Sequence, residues 1–126
     1  MKNARLKILA GTFQLTKLPK DAPIPQSVFE QEWYTISRTR DELSIIAPDN
    51  LLIDSEYSEK GWRIIQFLES MELSLVGITA KITAILAQRD INLCVVATYN
   101  TDYIMIKDEQ LYMAVQSLEQ AGYVFE

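Results

Sequence analysis

The 126-residue sequence predicts an α+β protein built as two βαββαβ units in tandem, the first with reduced helices. Three observations carry this. Residues 61–126 alternate β-branched runs with helical spacing in the order strand, helix, strand, strand, helix, strand. Residues 1–60 repeat the strands in the same order, with short segments where helices would sit. Several strands are apolar on both sides, which a sheet open to water on one face would not be.

The elements follow in chain order. Leu6 to Leu18 reads as one long strand. Lys20-Asp21-Ala22-Pro23-Ile24-Pro25 is a proline-rich connection, and Gln26 to Gln31 has room for one helical turn or two. Glu32 to Arg38 and Glu42 to Ala47 are strands joined by a turn at Thr39-Arg40-Asp41, and Pro48 to Ile53 is too short for more than one turn. Gly61 to Leu68 is a strand opened by glycine. Leu75 to Arg89 carries Ile78, Ile82, Ile85 and Leu86 at helical spacing, with Ser74 as its N-cap. Ile91 to Thr98 and Tyr103 to Lys107 are strands around a turn near Asn100-Thr101. Asp108 caps a helix with Leu111, Val115 and Leu118 on one face, and Gly122 ends it in the left-handed conformation. Tyr123-Val124-Phe125 is the last strand. The split βαβ order is that of a ferredoxin-like fold, with both helices on one face of an antiparallel sheet. The expected domains are residues 1–60, degenerate, and 61–126, complete.

Composition narrows the chemistry. There is no His, so no Ser-His-Asp triad, no Cys-His dyad and no imidazole base. One cysteine, Cys94, forbids an internal disulfide and a multi-cysteine metal cage, and mid-strand it reads as an inert buried thiol. The formal charge of −5 argues against binding a phosphate backbone. Residues 61–126 hold a net −4 of it, whereas residues 1–20 carry five bases and no acid. The four glycines are too scattered for a phosphate loop. No stretch approaches the ~20 apolar residues of a membrane span. Ile8-Leu9-Ala10-Gly11 is too short for a signal-peptide core, so the expected location is cytoplasmic.

Three segments together resemble a known family: Ile36-Ser37-Arg38-Thr39-Arg40-Asp41-Glu42-Leu43-Ser44-Ile45-Ile46, Gly61-Trp62-Arg63, and Ala97-Thr98-Tyr99-Asn100-Thr101-Asp102-Tyr103-Ile104. The chain is similar to the small bacterial tandem ACT-domain proteins related to the CASTOR arginine sensors and to the regulatory domains of aspartate kinases. The resemblance implies two ACT-type ferredoxin-like units that hold a small amino acid at an ACT–ACT interface without transforming it. It also implies a homodimer, an allosteric sensor role toward a protein partner, no cofactor, and no nucleic-acid or membrane partner.

The ligand's carboxylate would need donors, and a helix N-terminus supplies unpaired N–H groups and a favourable dipole. Ser74 with the amides of Val76, Gly77 and Ile78 is the candidate. The family's Asp-x-x-Gly type turn is matched here only by Glu72 and Ser74 before Gly77, and the plain alternative is a cap followed by a packing glycine. The ammonium would need an acceptor, for which Asp102 is the candidate, with Thr98, Tyr99, Asn100 and Thr101 along the same edge. The plain alternative for these is a polar hairpin turn. The rival functions are a ligand-free dimerisation module of the same fold, an RNA-recognition domain lacking its aromatic signature, and an acid–base enzyme without a flagged residue pair.

Overall fold

The computed structural model describes residues 5–68 and 75–126. The elements are β1 (Arg5–Ile8), β2 (Phe13–Leu18), α1 (Gln26–Phe29), β3 (Thr35–Arg38), β4 (Leu43–Pro48), β5 (Tyr57–Phe67), α2 (Leu75–Ala87), β6 (Leu93–Ala97), β7 (Asp102–Lys107), α3 (Asp108–Gln120) and β8 (Val124–Phe125). The expected α+β, ferredoxin-like architecture is present. The residues form two compact units, one of Gly11–Trp62 and one of Arg63–Glu126 joined by the chain up to Ala10.

In the Gly11–Trp62 unit the sheet order is β3-β4-β2-β5, all antiparallel. This is the ferredoxin-like order with the second helix missing. Its core is Val28, Leu43, Ile45 and Ala47, each fully buried. The single turn of α1 contributes Val28. Where the second helix would sit, a turn closes through the Leu51 N–H donating to the Pro48 carbonyl at 3.2 Å. Gln14, 1 % exposed, holds that turn from below. Its Nε2 donates to the carbonyls of Pro48 and Leu51 at 3.0 and 2.9 Å. Its Oε1 accepts from the Thr16 hydroxyl at 2.6 Å, and Thr16 shares a further bond with Ser58. A buried amide must have its donors and acceptors met. Here a side chain supplies the donors that a helix backbone would otherwise supply.

In the second unit the order is β6-β7-β5-β1-β8. Without β1 this too is the ferredoxin-like order. β1 is an added strand, antiparallel to β5 with Leu6 opposite Phe67, and parallel to β8 with Leu6 opposite Phe125. The long strand expected over Leu6 to Leu18 is therefore two. Gly11, at φ +87°, breaks it, a conformation that costs a side-chain-bearing residue about 1–2 kcal/mol. The two units divide at Trp62/Arg63, and residues 5–10 belong with the C-terminal unit.

Both helices of this unit pack on one face. Ile82 and Leu86 of α2, and Ala114 and Leu118 of α3, meet Leu6, Ile65, Phe67, Ile104 and Ile106 from the sheet. Each such fully buried aliphatic side chain is worth about 1.5–3 kcal/mol relative to exposure. On the alternate positions of β5 and β7, Ile64 and Met105 are fully buried as well, in keeping with strands that are apolar on both sides.

The two helices end alike. In α2, Asp90 N–H donates to the Ala87 carbonyl and Ile91 N–H to the Leu86 carbonyl; in α3, Gly122 donates to Glu119 and Tyr123 to Leu118. Asp90 (φ 56°) and Gly122 (φ 99°) take the left-handed position, and the apolar residue after each is buried. Ile91 thus serves the helix end, and β6 begins later than expected, at Leu93. Asp108 is a second departure: Lys107 occupies the N-cap, and Asp108 in the first turn pairs instead with Arg63 at 3.1 Å. The Ser74 cap lies outside the described residues.

Candidate functional site

Three parts of the C-terminal unit converge at one end of its sheet: the end of β5, the first turns of α2, and the β6–β7 hairpin. The hairpin closes as a four-residue turn. Thr98 N–H and its hydroxyl both donate to the Thr101 carbonyl, at 2.9 and 2.7 Å. Thr101 N–H donates back to the Thr98 hydroxyl at 3.3 Å. Such a threonine replaces a backbone bond with its own side chain. Thr101 then ties the hairpin to β5, its hydroxyl donating to the Phe67 carbonyl at 3.0 Å.

Asp102 follows as the first residue of β7 and is 8 % exposed. The Thr79 hydroxyl, from the fifth residue of α2, donates to its Oδ2 at 3.0 Å. No ion pair to Asp102 occurs among the described residues. Removing a carboxylate from water without a cation or a full set of donors costs several kcal/mol. Among the described residues the geometry therefore presents an acceptor with one neutral donor and capacity for more.

The other expected residues divide. Gly77 is exposed and is the third residue of α2. The side chain of Ile78 packs into the core, leaving only its backbone to the candidate site. Val76 lies in the same turn. Ser74 lies outside the described residues. Tyr99 is fully exposed and Asn100 exposed at the hairpin tip. The Thr98 hydroxyl is engaged in closing the turn. Thr101 and Asp102 are the pair brought against other elements. Thr79 was not among the sequence candidates. It lies three residues before Ile82, beside the apolar stripe of α2, and that position was the available signal.

The Gly11–Trp62 unit has the same hairpin turn. Thr39 N–H and hydroxyl donate to the Glu42 carbonyl at 2.8 and 3.3 Å. Register makes Leu43, opposite Arg38, the counterpart of Asp102, opposite Ala97. Leu43 is fully buried, so this unit has an apolar side chain where the other has a carboxylate. Beside the turn lies a cleft of about 390 Å³ whose lining includes Lys17, Asp41, Glu42, Asp54, Glu56 and Tyr57. The Lys17 ammonium sits over the Tyr57 ring at 4.6 Å.

Among the described residues no group of three or more potential ligands is placed to hold a metal ion. No helix among them is long and apolar enough to cross a membrane.

The family model of the ACT domain matches residues 57–120, and a second model, of an N-terminal domain, matches residues 11–52. No curated protein matches the chain. Among solved structures, an Agobacterium tumefaciens protein is similar at 25% identity and a TM-score of 0.91, covering 100% of this chain and 94% of that one. A Vibrio cholerae protein described as of unknown function and a possible transport protein is similar at 20% identity and TM-score 0.71, covering 93% and 88%. The regulatory subunit of aspartate kinase from Thermus flavus is similar at 12% identity and TM-score 0.64, covering 96% and 99%. The two low-identity likenesses speak to fold, and the family match spans half of the chain with the hairpin and α2 inside it: the protein belongs to the ACT-domain family.

Proposed function

We propose that the protein binds a small amino acid non-covalently in its C-terminal unit and serves as a regulatory ACT-type protein rather than an enzyme. The observation that carries this reading is Asp102: a carboxylate 8 % exposed, met by one neutral hydroxyl and by no cation among the described residues. A ligand ammonium would complete it with a charge-assisted bond. The ligand carboxylate would take the amides of Val76, Gly77 and Ile78 with Ser74, while Thr98 to Thr101 would border the site. In this reading the protein is a cytoplasmic homodimer, the ligand lies at an ACT–ACT interface, and occupancy biases the packing that a protein partner reads. The likeness to an aspartate kinase regulatory subunit supports a regulatory role. A second reading, a ligand-free dimerisation module, is favoured by the hairpin's use of its Thr98 hydroxyl internally and by Val95, 42% exposed on the edge strand β6.

The test is a melting-temperature screen with each of the twenty amino acids. A ligand at 100 times its Kd adds about 2.7 kcal/mol to the stability of the native state. One or a few amino acids should raise the melting temperature, and Asp102→Ala should remove that rise while remaining folded. A rise that survives Asp102→Ala would sink the site. No rise with any amino acid, with a dimer still present by sedimentation, would establish the second reading.

A further inference from the structure

Thr79 is the one described group that donates to the Asp102 side chain, and it does so from a different element, across 23 residues of sequence. A threonine inside a helix has a competing acceptor, the carbonyl one turn back. Here the hydroxyl turns away from its own helix and toward the carboxylate. Asp102 starts β7 directly after the turn that Thr98 and Thr101 close, so its backbone is held. Its side-chain torsion is held by Thr79 alone among the described residues.

We infer that Thr79 is a positioning residue of the amino-acid site: its hydroxyl engages Oδ2 of Asp102 so that Oδ1 is presented to the ligand's ammonium. This rests on the function proposed above and adds to it. Thr79 also joins the acceptor on β7 to the helix whose first turn would hold the ligand's carboxylate. The two halves of the zwitterion site are then tied by one hydrogen bond. The distance between the ammonium and carboxylate positions becomes a property of the Thr79–Asp102 link, which favours α-amino acids over ligands with a longer separation.

The test uses the full chain with Thr79→Val, which keeps shape and removes the donor, and Thr79→Ser, which keeps the donor. A ligand-free arm compares the melting temperatures of the wild type, Thr79→Val, Asp102→Ala and the double variant. Thr79→Val should lower the melting temperature of the wild type and have little further effect on Asp102→Ala, which has no side-chain acceptor. Additive losses would overturn the inference whatever binds. A ligand arm uses each amino acid that shifts the wild type. Thr79→Val should bind it about tenfold more weakly, a factor that corresponds to about 1.4 kcal/mol. Thr79→Ser should stay within about twofold, as a restored donor requires. The discrimination between an α-amino acid and its β-amino isomer should shrink in Thr79→Val. Full binding by Thr79→Val overturns the positioning role and leaves the function standing. No shift in the wild type overturns both.

Discussion

Replacing Gln14 by Leu tests how the Gly11–Trp62 unit does without its second helix. The side chain is 1 % exposed and makes three hydrogen bonds: to the Pro48 and Leu51 carbonyls, and from the Thr16 hydroxyl. Leucine has similar volume, so no large cavity opens. The losses differ in kind. Pro48 O keeps the Leu51 N–H, and Thr16 can turn to Ser58. The Leu51 carbonyl loses the donor that Gln14 supplied. At about 1 kcal/mol for each bond the loss is about 3 kcal/mol. Apolar burial by leucine returns about 1 kcal/mol. The expected destabilisation is therefore about 2 kcal/mol. In a domain of this size that lowers the melting temperature by roughly 6–10 °C. Urea unfolding at constant m-value measures it directly. Gln14→Glu is the sharper variant, because it removes both donors and sets a carboxylate against two carbonyl oxygens. Burial raises the pKa of such a carboxylate, so its charge penalty should be full above the raised folded pKa, shrink as pH falls through it, and be gone below about pH 4, where the unfolded carboxyl also binds a proton. A change under about 0.5 kcal/mol for Gln14→Leu, or a pH-independent penalty for Gln14→Glu, would refute the view that this amide replaces a helix.

Two further predictions concern backbone and burial. Gly61→Ala meets no atom within 4 Å but must hold φ at +81°, so it should cost about 1 kcal/mol through backbone strain alone, measurable by chemical denaturation. A neutral result would mean that the backbone relaxes there. Tyr123 has its pKa raised above 10.0 by desolvation, since burial disfavours the phenolate. It thus contributes stability that is complete below pH 10 and is lost as pH rises through its folded pKa. An ultraviolet phenolate titration should show a late-ionising tyrosine that is lost in Tyr123→Phe, and the same variant should flatten the alkaline loss of stability. A late phase that survives in Tyr123→Phe would contradict the burial argument.

The candidate site was half legible before folding. Asp102 came forward from its place at the start of a strand and from the family resemblance, and the structure finds it buried. Thr79 did not stand out, because threonine beside the stripe of Ile78, Ile82 and Leu86 reads as an ordinary helical position. Its meaning comes from a bond to a residue 23 positions away, and periodicity carries no information about such a bond. Asp108 shows the reverse error. Its type and position suit an N-cap, yet Arg63 offers a charged partner and Lys107 takes the cap position.

Sequence alone was enough for the kinds of element and most of their order. Helical spacing at Ile78, Ile82 and Leu86, and β-branched runs at Ile64-Ile65 and Ile104-Met105-Ile106, are local properties, and burial in one core demands them. The glycine that ends α3 was legible for the same reason, since its φ of 99° is a local requirement. What needed the tertiary structure was the partner of each strand. Arg5–Ile8 and Phe13–Leu18 read as one strand, and both run antiparallel to β5. Alternation tells which side chains face a core but not which core. That choice was made by Leu6 packing with Phe67 and Tyr123, contacts that exist only once the chain has folded.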